Sequence, residues 1–151
     1  MTHPDHRSGR LRATDFDLAW RWTRLTHAVL PDDVLAEIEP IDRDAADAWA
    51  HEAHRRFQGV SGLSFRAPSE AAESTRIRLQ ALPVTGETFV VVCWSTGLAV
   101  RTRWRIFVQY WSAFCYPASD DVVVWTPEHD WALCYHHDEV FEWQASGTDA
   151  A

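Results

Sequence analysis

The spacing of apolar residues changes near the middle of this 151-residue chain, and this change limits the folds open to it. In the first half, apolar side chains recur every three or four residues, as they do on one face of a helix. In the second half the period falls to two, and the run Phe89–Trp94 is apolar at every position. Such a run predicts a strand in the centre of a sheet. The chain therefore combines helices with a sheet, and its length suits one domain.

The first half predicts three helices. The first begins at Thr14, which can cap it, and ends before Pro31, which cannot continue it. The second is short and runs from Pro31 through Ile38, with two acids in its first turn. The third runs from about Asp44 to Phe57. The apolar stripe of the first helix consists of Phe16, Leu18, Trp22, Leu25 and Val29.

The second half predicts strands around one helix. Residues 76–81 alternate between polar and apolar side chains, which indicates a half-buried strand before the run at 89–94. An amphipathic helix is expected over Arg101–Cys115. The first turn of this helix is open to a second interpretation, because Arg101, Arg103 and Arg105 also alternate as in a strand. Three further strands are expected at Asp120–Trp125, Trp131–His136 and Val140–Trp143.

These elements predict an α+β fold with a single domain at residues 14–143. A connector over 61–74, with a short strand at Leu63–Arg66, joins the helical N-terminal half to a strand–strand–helix–strand–strand half. The strands are expected to form an antiparallel or mixed sheet covered by helices on one face. The polar ends of the chain predict a disordered arm at 1–13 and a disordered tail at 144–151.

The net charge of the chain is concentrated in its last third. The final 46 residues, Ile106–Ala151, contain no Arg and no Lys but hold eight carboxylates, which equals the net charge of -8 of the whole chain. The absence of Lys and Asn throughout indicates a GC-rich bacterial genome, but Arg was available for this third and does not occur there. Ten of the 19 aromatic residues also lie in it. An acidic surface that carries rings is typical of a protein that binds a basic protein partner.

The acids of the last third cluster in three predicted turns. These turns are Asp120-Asp121, Glu128–Asp130 and Asp138-Glu139. Trp and Tyr side chains near strand ends are expected to be partly exposed, and rings beside acids have the composition of a binding hot spot. The predicted partner-binding residues are Asp120, Asp121, Trp125, Trp131, Tyr135, His137, Asp138, Glu139 and Trp143.

Arg101, Arg103 and Arg105 form a second candidate site. At the start of a helix these cations oppose the helix dipole, so another interaction must favour them. One explanation is a small anion, bound by the guanidinium groups and by free backbone N–H groups. The other, which we favour, is pairing with an acidic turn such as Asp120-Asp121.

No motif in the sequence predicts catalysis, and we predict no catalytic residue, no metal ligand and no cofactor. The segment His51–His54 is one residue shorter than the zinc-protease motif, which needs two His four apart. The strand that carries Cys134 and His136 places both side chains on one face, and His137 follows in the turn. A small metal-binding protein or enzyme built on the His136-His137 hairpin is therefore the first alternative to protein binding.

Cysteine content and charge indicate the cellular setting. The chain has three cysteines, a small and odd number that does not suit a disulfide framework. A cytoplasmic protein with reduced thiols is therefore expected. The segment Met1–Arg12 has no apolar core, which argues against a signal peptide, and the longest apolar run is too short to span a bilayer. The acidic balance of charge argues against nucleic-acid binding.

One block of the second half resembles known sequences. The block W-x-x-F-x-x-Y-W-x-x-F-C-Y-P-x-S-D-D spans Trp104–Asp121, and the strand pair after it ends in YHHDEVFEW. Together they resemble small uncharacterised bacterial proteins, some of which lie beside toxin genes as immunity proteins. The resemblance covers roughly residues 88–143. It implies an α+β fold and a binding role, and it assigns no site.

The sequence as a whole predicts a protein-binding module of the immunity type. In this hypothesis it occludes a basic toxin domain, with acids that speed association and partly exposed rings that slow dissociation. A small-anion sensor that uses Arg101, Arg103 and Arg105 is the second alternative. The oligomeric state does not follow from the sequence.

Overall fold

The structure, a computed structural model, describes residues 12–58, 62–95 and 97–145. Within these residues it has the predicted α+β fold, with six helices and an antiparallel seven-stranded sheet. The helices are α1 (Trp20–Thr23), α2 (Asp32–Leu35), α3 (Arg43–Phe57), α4 (Ala72–Gln80), α5 (Trp104–Gln109) and α6 (Trp111–Phe114), with 3-10 turns at Ala13–Asp15 and Ser69–Ala71. The strands are β1 (Ala28–Val29), β2 (Glu39–Pro40), β3 (Leu63–Arg66), β4 (Phe89–Ser95), β5 (Leu98–Arg103), β6 (Val122–Trp125), β7 (Trp131–His136) and β8 (Val140–Ala145).

Seven of the strands form one sheet in the order β2-β5-β4-β6-β7-β8-β3, and every neighbouring pair is antiparallel. The apolar run at 89–94 lies in β4, in the interior of the sheet between β5 and β6, as predicted. Gly97 lies in the hairpin between β4 and β5 with a φ of 85°, a conformation that strains residues with a side chain. The remaining strand, β1, forms a small hairpin with Thr23 and Arg24.

Helices cover both faces of the sheet. On the first face, Val90 and Val92 of β4 belong to the larger core, which α5, α6 and the segment before β1 complete. On the second face, Val91 and Cys93 of the same strand lie under α3, which buries Phe57 there. The prediction of helices on one face is therefore wrong. Because β4 is apolar on both sides, each side needs a cover.

Several predicted helices and strands are confirmed with small changes at their ends. α3 begins after Asp42, whose side chain accepts a hydrogen bond of 3.0 Å from the N–H of Ala45. α2 is shorter than predicted, and β3 has the predicted bounds. α3 has 15 residues, and no helix of the described chain is long and apolar enough to cross a membrane.

The predicted arm and tail lie mostly outside the described residues, at 1–11 and 146–151. The parts of them that are described belong to the fold. Ala13 is buried in the larger core, and Ala145 ends β8.

The single helix predicted between Thr14 and Pro31 is wrong. The chain instead forms a 3-10 turn, the one-turn helix α1 and the hairpin that contains β1. Trp22 of the predicted stripe is buried, but Leu25 is 93% exposed. A straight helix places these two side chains on one face, whereas the hairpin turns Leu25 to solvent. Thr23 and Thr26, on either side of Leu25, are β-branched, which lowers their helix propensity.

The strand predicted over 76–81 is also wrong, because residues 76–80 lie in α4. Thr75 and Leu79, four residues apart, are buried on one side of this helix, while Ile77 is exposed. The segment is rich in Ala, Glu, Arg and Gln, which favour a helix. Three alternating pairs are too few to outweigh that preference.

Arg101 and Arg103 lie in β5, and the helix begins only at Trp104. The strand interpretation of the arginine alternation is therefore the correct one, with Thr102 buried on the opposite face. The predicted helical stripe is confirmed from Trp104 onward as α5 and α6, with a break at Tyr110. The predicted order strand–strand–helix–strand–strand is confirmed. Its first two strands are β4 and β5, rather than the predicted strands at 76–81 and 89–94.

Candidate partner-binding surface

Asp120, the first acid predicted to contact a partner, is buried. Its carboxylate accepts two hydrogen bonds from the guanidinium of Arg21, at 2.6 and 3.1 Å, and the two side chains are 8% and 6% exposed. It also accepts a hydrogen bond of 2.8 Å from the N–H of Tyr116. The prediction that Asp120 binds a partner is therefore wrong. Its carboxylate instead joins the loop after α6 to α1.

The rings predicted to be exposed are enclosed by the fold. Trp125 and Tyr135 are fully buried, and Trp125 lies under α3 on the second face. Trp131 is buried on the first face, where it packs edge-on against Trp104 with 5.6 Å between ring centres. Trp143 is half-buried and stacks on Trp131 at 5.0 Å. The prediction that these rings are exposed is wrong for Trp125, Trp131 and Tyr135, because helices cover both faces of the sheet.

A different group of rings is accessible at one end of the sheet. Trp20, His27 and Tyr116 contact one another, with ring centres 4.8 to 6.1 Å apart. His27 is exposed and the other two are half-buried. The guanidinium of Arg21 lies 4.0 Å from the ring centre of Tyr116. Sequence reasoning missed this cluster, although Trp20 lies off the predicted apolar stripe, so a helix at this position exposes its ring.

An acidic turn lies directly beside these rings. The N–H of Ala118 in the loop after Tyr116 donates a hydrogen bond of 2.8 Å to the carbonyl of His137. Asp121 accepts hydrogen bonds from the backbone N–H and the ring Nδ1 of His137, each at 3.0 Å. The side chain of Asp121 is 67% exposed, and Asp138 is also exposed. We call the following residues the ring-and-acid patch: Trp20, His27, Tyr116, Asp121, His137 and Asp138.

Local contacts hold this turn in shape. Hydrogen bonds from His137 hold the pKa of Asp121 below its usual value, which keeps this carboxylate charged at mildly acidic pH. Glu139 has a left-handed backbone, with a φ of 68°, and its side chain accepts a hydrogen bond of 3.0 Å from the N–H of Ser69. Glu139 therefore anchors the turn to the segment before α4. The side chain of Asp138 makes no hydrogen bond or ion pair within the described residues.

The third acidic turn lies at the other end of the sheet. Glu128 and Asp130 lie between β6 and β7, whereas His137 follows the far end of β7. β7 has six residues, so about 20 Å separates its two ends. The acids of the last third therefore form two separate surfaces.

The arginine cluster pairs with acids, but not with those expected. Arg103 and Arg105 both contact Glu37, at 3.2 and 3.1 Å, and both contact Glu87, at 3.3 and 2.9 Å. The hydrogen bonds to Glu37 and Glu87 raise the pKa of Arg105. Pairing was the interpretation favoured from the sequence. The predicted partner, Asp120-Asp121, is wrong because those residues precede β6, two strands away from β5 and at the opposite end of the strands from Arg103.

Arg101 is placed differently, in a groove of about 660 Å³ on the second face of the sheet. Its guanidinium stacks on Phe89, 4.2 Å from the ring centre, and a carboxylate oxygen of Glu39 lies 3.9 Å away, beyond hydrogen-bond distance. The groove lies between the N-terminal part of α3, which contributes Trp49, and the turn that carries Glu128. Within the described residues Arg101 donates no hydrogen bond, so its N–H groups are available to a ligand.

Cys93 and Cys115 are buried, and Cys134 is half-buried. Burial raises the pKa of Cys93 to about 12 and that of Cys134 to about 11. Burial also raises the pKa of Cys115 well above its ordinary value. A cysteine nucleophile needs a lowered pKa, so none of these thiols has the environment of a catalytic residue.

We therefore expect the native thiols to react slowly with Ellman's reagent. At about pH 8, roughly one Cys134 in a thousand and one Cys93 in ten thousand are thiolates, because each pH unit below the pKa lowers that fraction tenfold. All three thiols should react within minutes in concentrated guanidinium chloride. Rapid reaction of one thiol in the native protein would instead identify an activated cysteine.

The histidines of the predicted hairpin site each lie beside a carboxylate. His136 Nε2 is 3.3 Å from Oε1 of Glu142 on β8, and His137 bonds to the acid before β6. Cys134 lies near Gln144, with 3.7 Å between its Sγ and Oε1 of the amide. Within the described ranges no three His, Cys, Asp or Glu side chains are grouped to hold a metal ion. The metal-site alternative gains no support from these contacts.

The fold defines an α+β protein whose antiparallel sheet is covered by helices on both faces. The family described as Protein of unknown function (DUF2947) matches residues 67–143, just over half of the chain. The chain belongs to this family. The match includes the acidic turn of the ring-and-acid patch and Tyr116, but not Trp20 or His27. No curated protein and no solved structure matches the chain.

Proposed function

We propose that this protein is a protein-binding module of the immunity type, which occludes a basic protein partner with the ring-and-acid patch. One observation carries the proposal, namely that the accessible rings of Trp20, His27 and Tyr116 lie directly beside an acidic turn. Rings supply the contact area that is desolvated at the centre of an interface, and acids attract a basic surface. The chemistry is the one expected from the sequence, with different rings.

The accessible carboxylates of this end of the sheet are not neutralised by arginine. Within the described residues, Asp121 and Glu142 contact histidines, Glu139 accepts a hydrogen bond from a backbone N–H, and Asp138 makes no hydrogen bond or ion pair. Two exposed arginines lie near these carboxylates, namely Arg24 in the same hairpin as His27, and Arg66, which pairs with Val140 beside the acidic turn. An excess of negative charge on such a surface speeds the encounter with a basic protein and weakens as salt is added.

The rings of the patch are held in place before any partner binds. Trp20 precedes Arg21 in α1, and Tyr116 donates its backbone N–H to Asp120. The buried Arg21–Asp120 ion pair therefore ties both ring-bearing segments together. A surface that is already ordered loses less conformational entropy on binding, which favours affinity.

Charge reversal at the two exposed acids, Asp121→Arg with Asp138→Arg, is expected to slow association about tenfold and to reduce its dependence on salt. Trp20→Ala is expected to act on dissociation instead, with an increase of about tenfold in its rate. The partner is first captured from host lysate at low ionic strength and identified. Both rates are then measured with the purified partner by surface plasmon resonance.

A matched control reverses two exposed acids elsewhere, with Asp33→Arg and Asp44→Arg. This variant has the same net charge as the test variant, so it should bind the partner at the wild-type rate. Capture of no basic protein by the wild type would contradict the proposal. Association of the Asp121→Arg, Asp138→Arg variant at the rate of the control would contradict it equally.

A further inference from the structure

The groove that contains Arg101 lies at the opposite end of the sheet from the ring-and-acid patch. Its floor is the start of β4, where Phe89 and Val91 face the second side of the sheet. One wall is the segment from β2 to the N-terminus of α3, and the other is the turn between β6 and β7. A volume of about 660 Å³ lies within the range of small-molecule sites.

One side of the groove offers a binding group for an anion. Arg103 and Arg105 direct their guanidinium groups to Glu37 and Glu87, whereas Arg101 has no hydrogen-bonded acid within the described chain. The Arg101 guanidinium lies 4.2 Å from the ring centre of Phe89, a cation–π contact that uses none of its N–H groups. A planar guanidinium binds a carboxylate through two parallel hydrogen bonds.

The other side of the groove offers a binding group for a cation. Glu128 is exposed in the turn between β6 and β7, and its Oε1 accepts a hydrogen bond of 3.2 Å from the hydroxyl of Thr126. Its second oxygen, Oε2, has no partner within the described residues. Val91 of β4 pairs with Arg101 on one side and with Trp125 on the other, so the backbones of Arg101 and Trp125 are about 10 Å apart. Glu128 follows Trp125 by three residues, and the side chains of Arg101 and Glu128 both line the groove.

Between these charges the lining includes an apolar wall. Trp49 of α3 is half-buried and borders the groove, and it packs edge-on against the buried Trp125 with 5.5 Å between ring centres. Pro40, Ile41 and Pro127 add further apolar surface. A flat apolar group is the natural occupant of such a wall.

We propose that the groove binds a small zwitterion with an aromatic body, whose carboxylate contacts Arg101 and whose ammonium group contacts Glu128. The ring of this ligand packs against Trp49. The site does not share a residue with the ring-and-acid patch, so the inference does not depend on the proposed function.

Isothermal titration calorimetry with three indole compounds that differ only in their charged groups tests the proposal. L-tryptophan carries both charges, tryptamine lacks the carboxylate, and indole-3-propionate lacks the ammonium group. L-tryptophan is expected to bind with a Kd about tenfold below that of either other compound, because each of them loses one charged contact.

Two variants assign each charge to its side chain. Arg101→Gln is expected to weaken the binding of L-tryptophan about tenfold without weakening the binding of tryptamine. Glu128→Gln is expected to weaken the binding of L-tryptophan without weakening that of indole-3-propionate. Arg55→Gln is the matched control, since Arg55 is exposed on α3 and pairs with Glu52 outside the groove. Thermal unfolding verifies that every variant is folded.

Several results would overturn the proposal. The absence of binding by L-tryptophan excludes an aromatic zwitterion from the groove. Equal affinity for the three compounds excludes recognition of both charges. Wild-type affinity for L-tryptophan in Arg101→Gln or in Glu128→Gln excludes the assigned contact.

Discussion

Replacing Asp120 with Ala is expected to lower the free energy of unfolding by about 3–5 kcal/mol. The substitution leaves the guanidinium of Arg21 buried without its carboxylate partner. It also removes the acceptor of the Tyr116 N–H. The Nε of Arg21 is already buried without a partner in the described part of the chain, so the guanidinium has little other compensation.

Urea denaturation followed by circular dichroism measures this loss. Asp138→Ala is the matched control, because this acid is exposed and makes no hydrogen bond or ion pair within the described residues, so its substitution should change stability by less than about 0.5 kcal/mol. Replacing both partners, Arg21→Met with Asp120→Leu, should recover most of the loss because no buried charge remains. A loss below about 1 kcal/mol in Asp120→Ala would mean that solvent screens the pair, as at a surface.

The Arg21–Asp120 pair also affects how binding experiments are designed. Charge reversal at Asp120 places a second guanidinium beside Arg21 in a buried site, so we expect it to unfold the region that carries Trp20 and Tyr116. Loss of partner binding would then report loss of structure. Asp121 and Asp138 allow the same electrostatic test at exposed positions.

The acidic turns were predictable because they depend on local sequence. Apolar strands on either side of Asp138 leave its carboxylate no place but solvent. Burial of Asp120, one residue earlier, was not predictable. It depends on Arg21, which is 99 residues away in the chain.

Exposure of the rings was not predictable from their position near strand ends. Alternation along β6 and β7 assigns Trp125 and Trp131 to opposite faces of the sheet, but it does not tell what covers each face. α3 covers Trp125, and α5 with the rings around it covers Trp131. The apolar run in β4 carried the missing information, because a strand that is apolar on both sides needs two covers.

The acids that pair with the arginine cluster were also not predictable from the sequence. The sequence favoured internal pairing because cations at a helix start need a reason, and Arg103 and Arg105 are paired. Their backbone assignment was wrong for Arg103, and the acids that pair with them come from segments far apart in the chain. Arg101 and Arg103 lie in the same strand, but the Arg101 guanidinium has no hydrogen-bonded acid within the described residues. No local sequence pattern shows this difference.

Trp22→Ala is expected to destabilise the protein by about 3–5 kcal/mol, which is the cost of removing a buried Trp. Its ring is fully buried, contacts Trp94 and Phe114, and donates a hydrogen bond of 3.0 Å from Nε1 to the carbonyl of Ala113. These contacts join the segment before β1, which lies outside the family match, to residues inside the match. The N-terminal segment is therefore part of the folded domain rather than an addition to it.

Leu25→Ala is the matched control, because Leu25 belongs to the same apolar stripe in the sequence but is 93% exposed in the hairpin. Truncation of the Leu25 side chain should change the free energy of unfolding by less than about 0.5 kcal/mol in the same urea denaturation experiment. If residues 14–30 formed a single helix, both side chains would be buried on one face, and both variants would lose much of the free energy of unfolding. The difference between the two values therefore separates the hairpin from the helix. Comparable losses in Trp22→Ala and Leu25→Ala would contradict the hairpin.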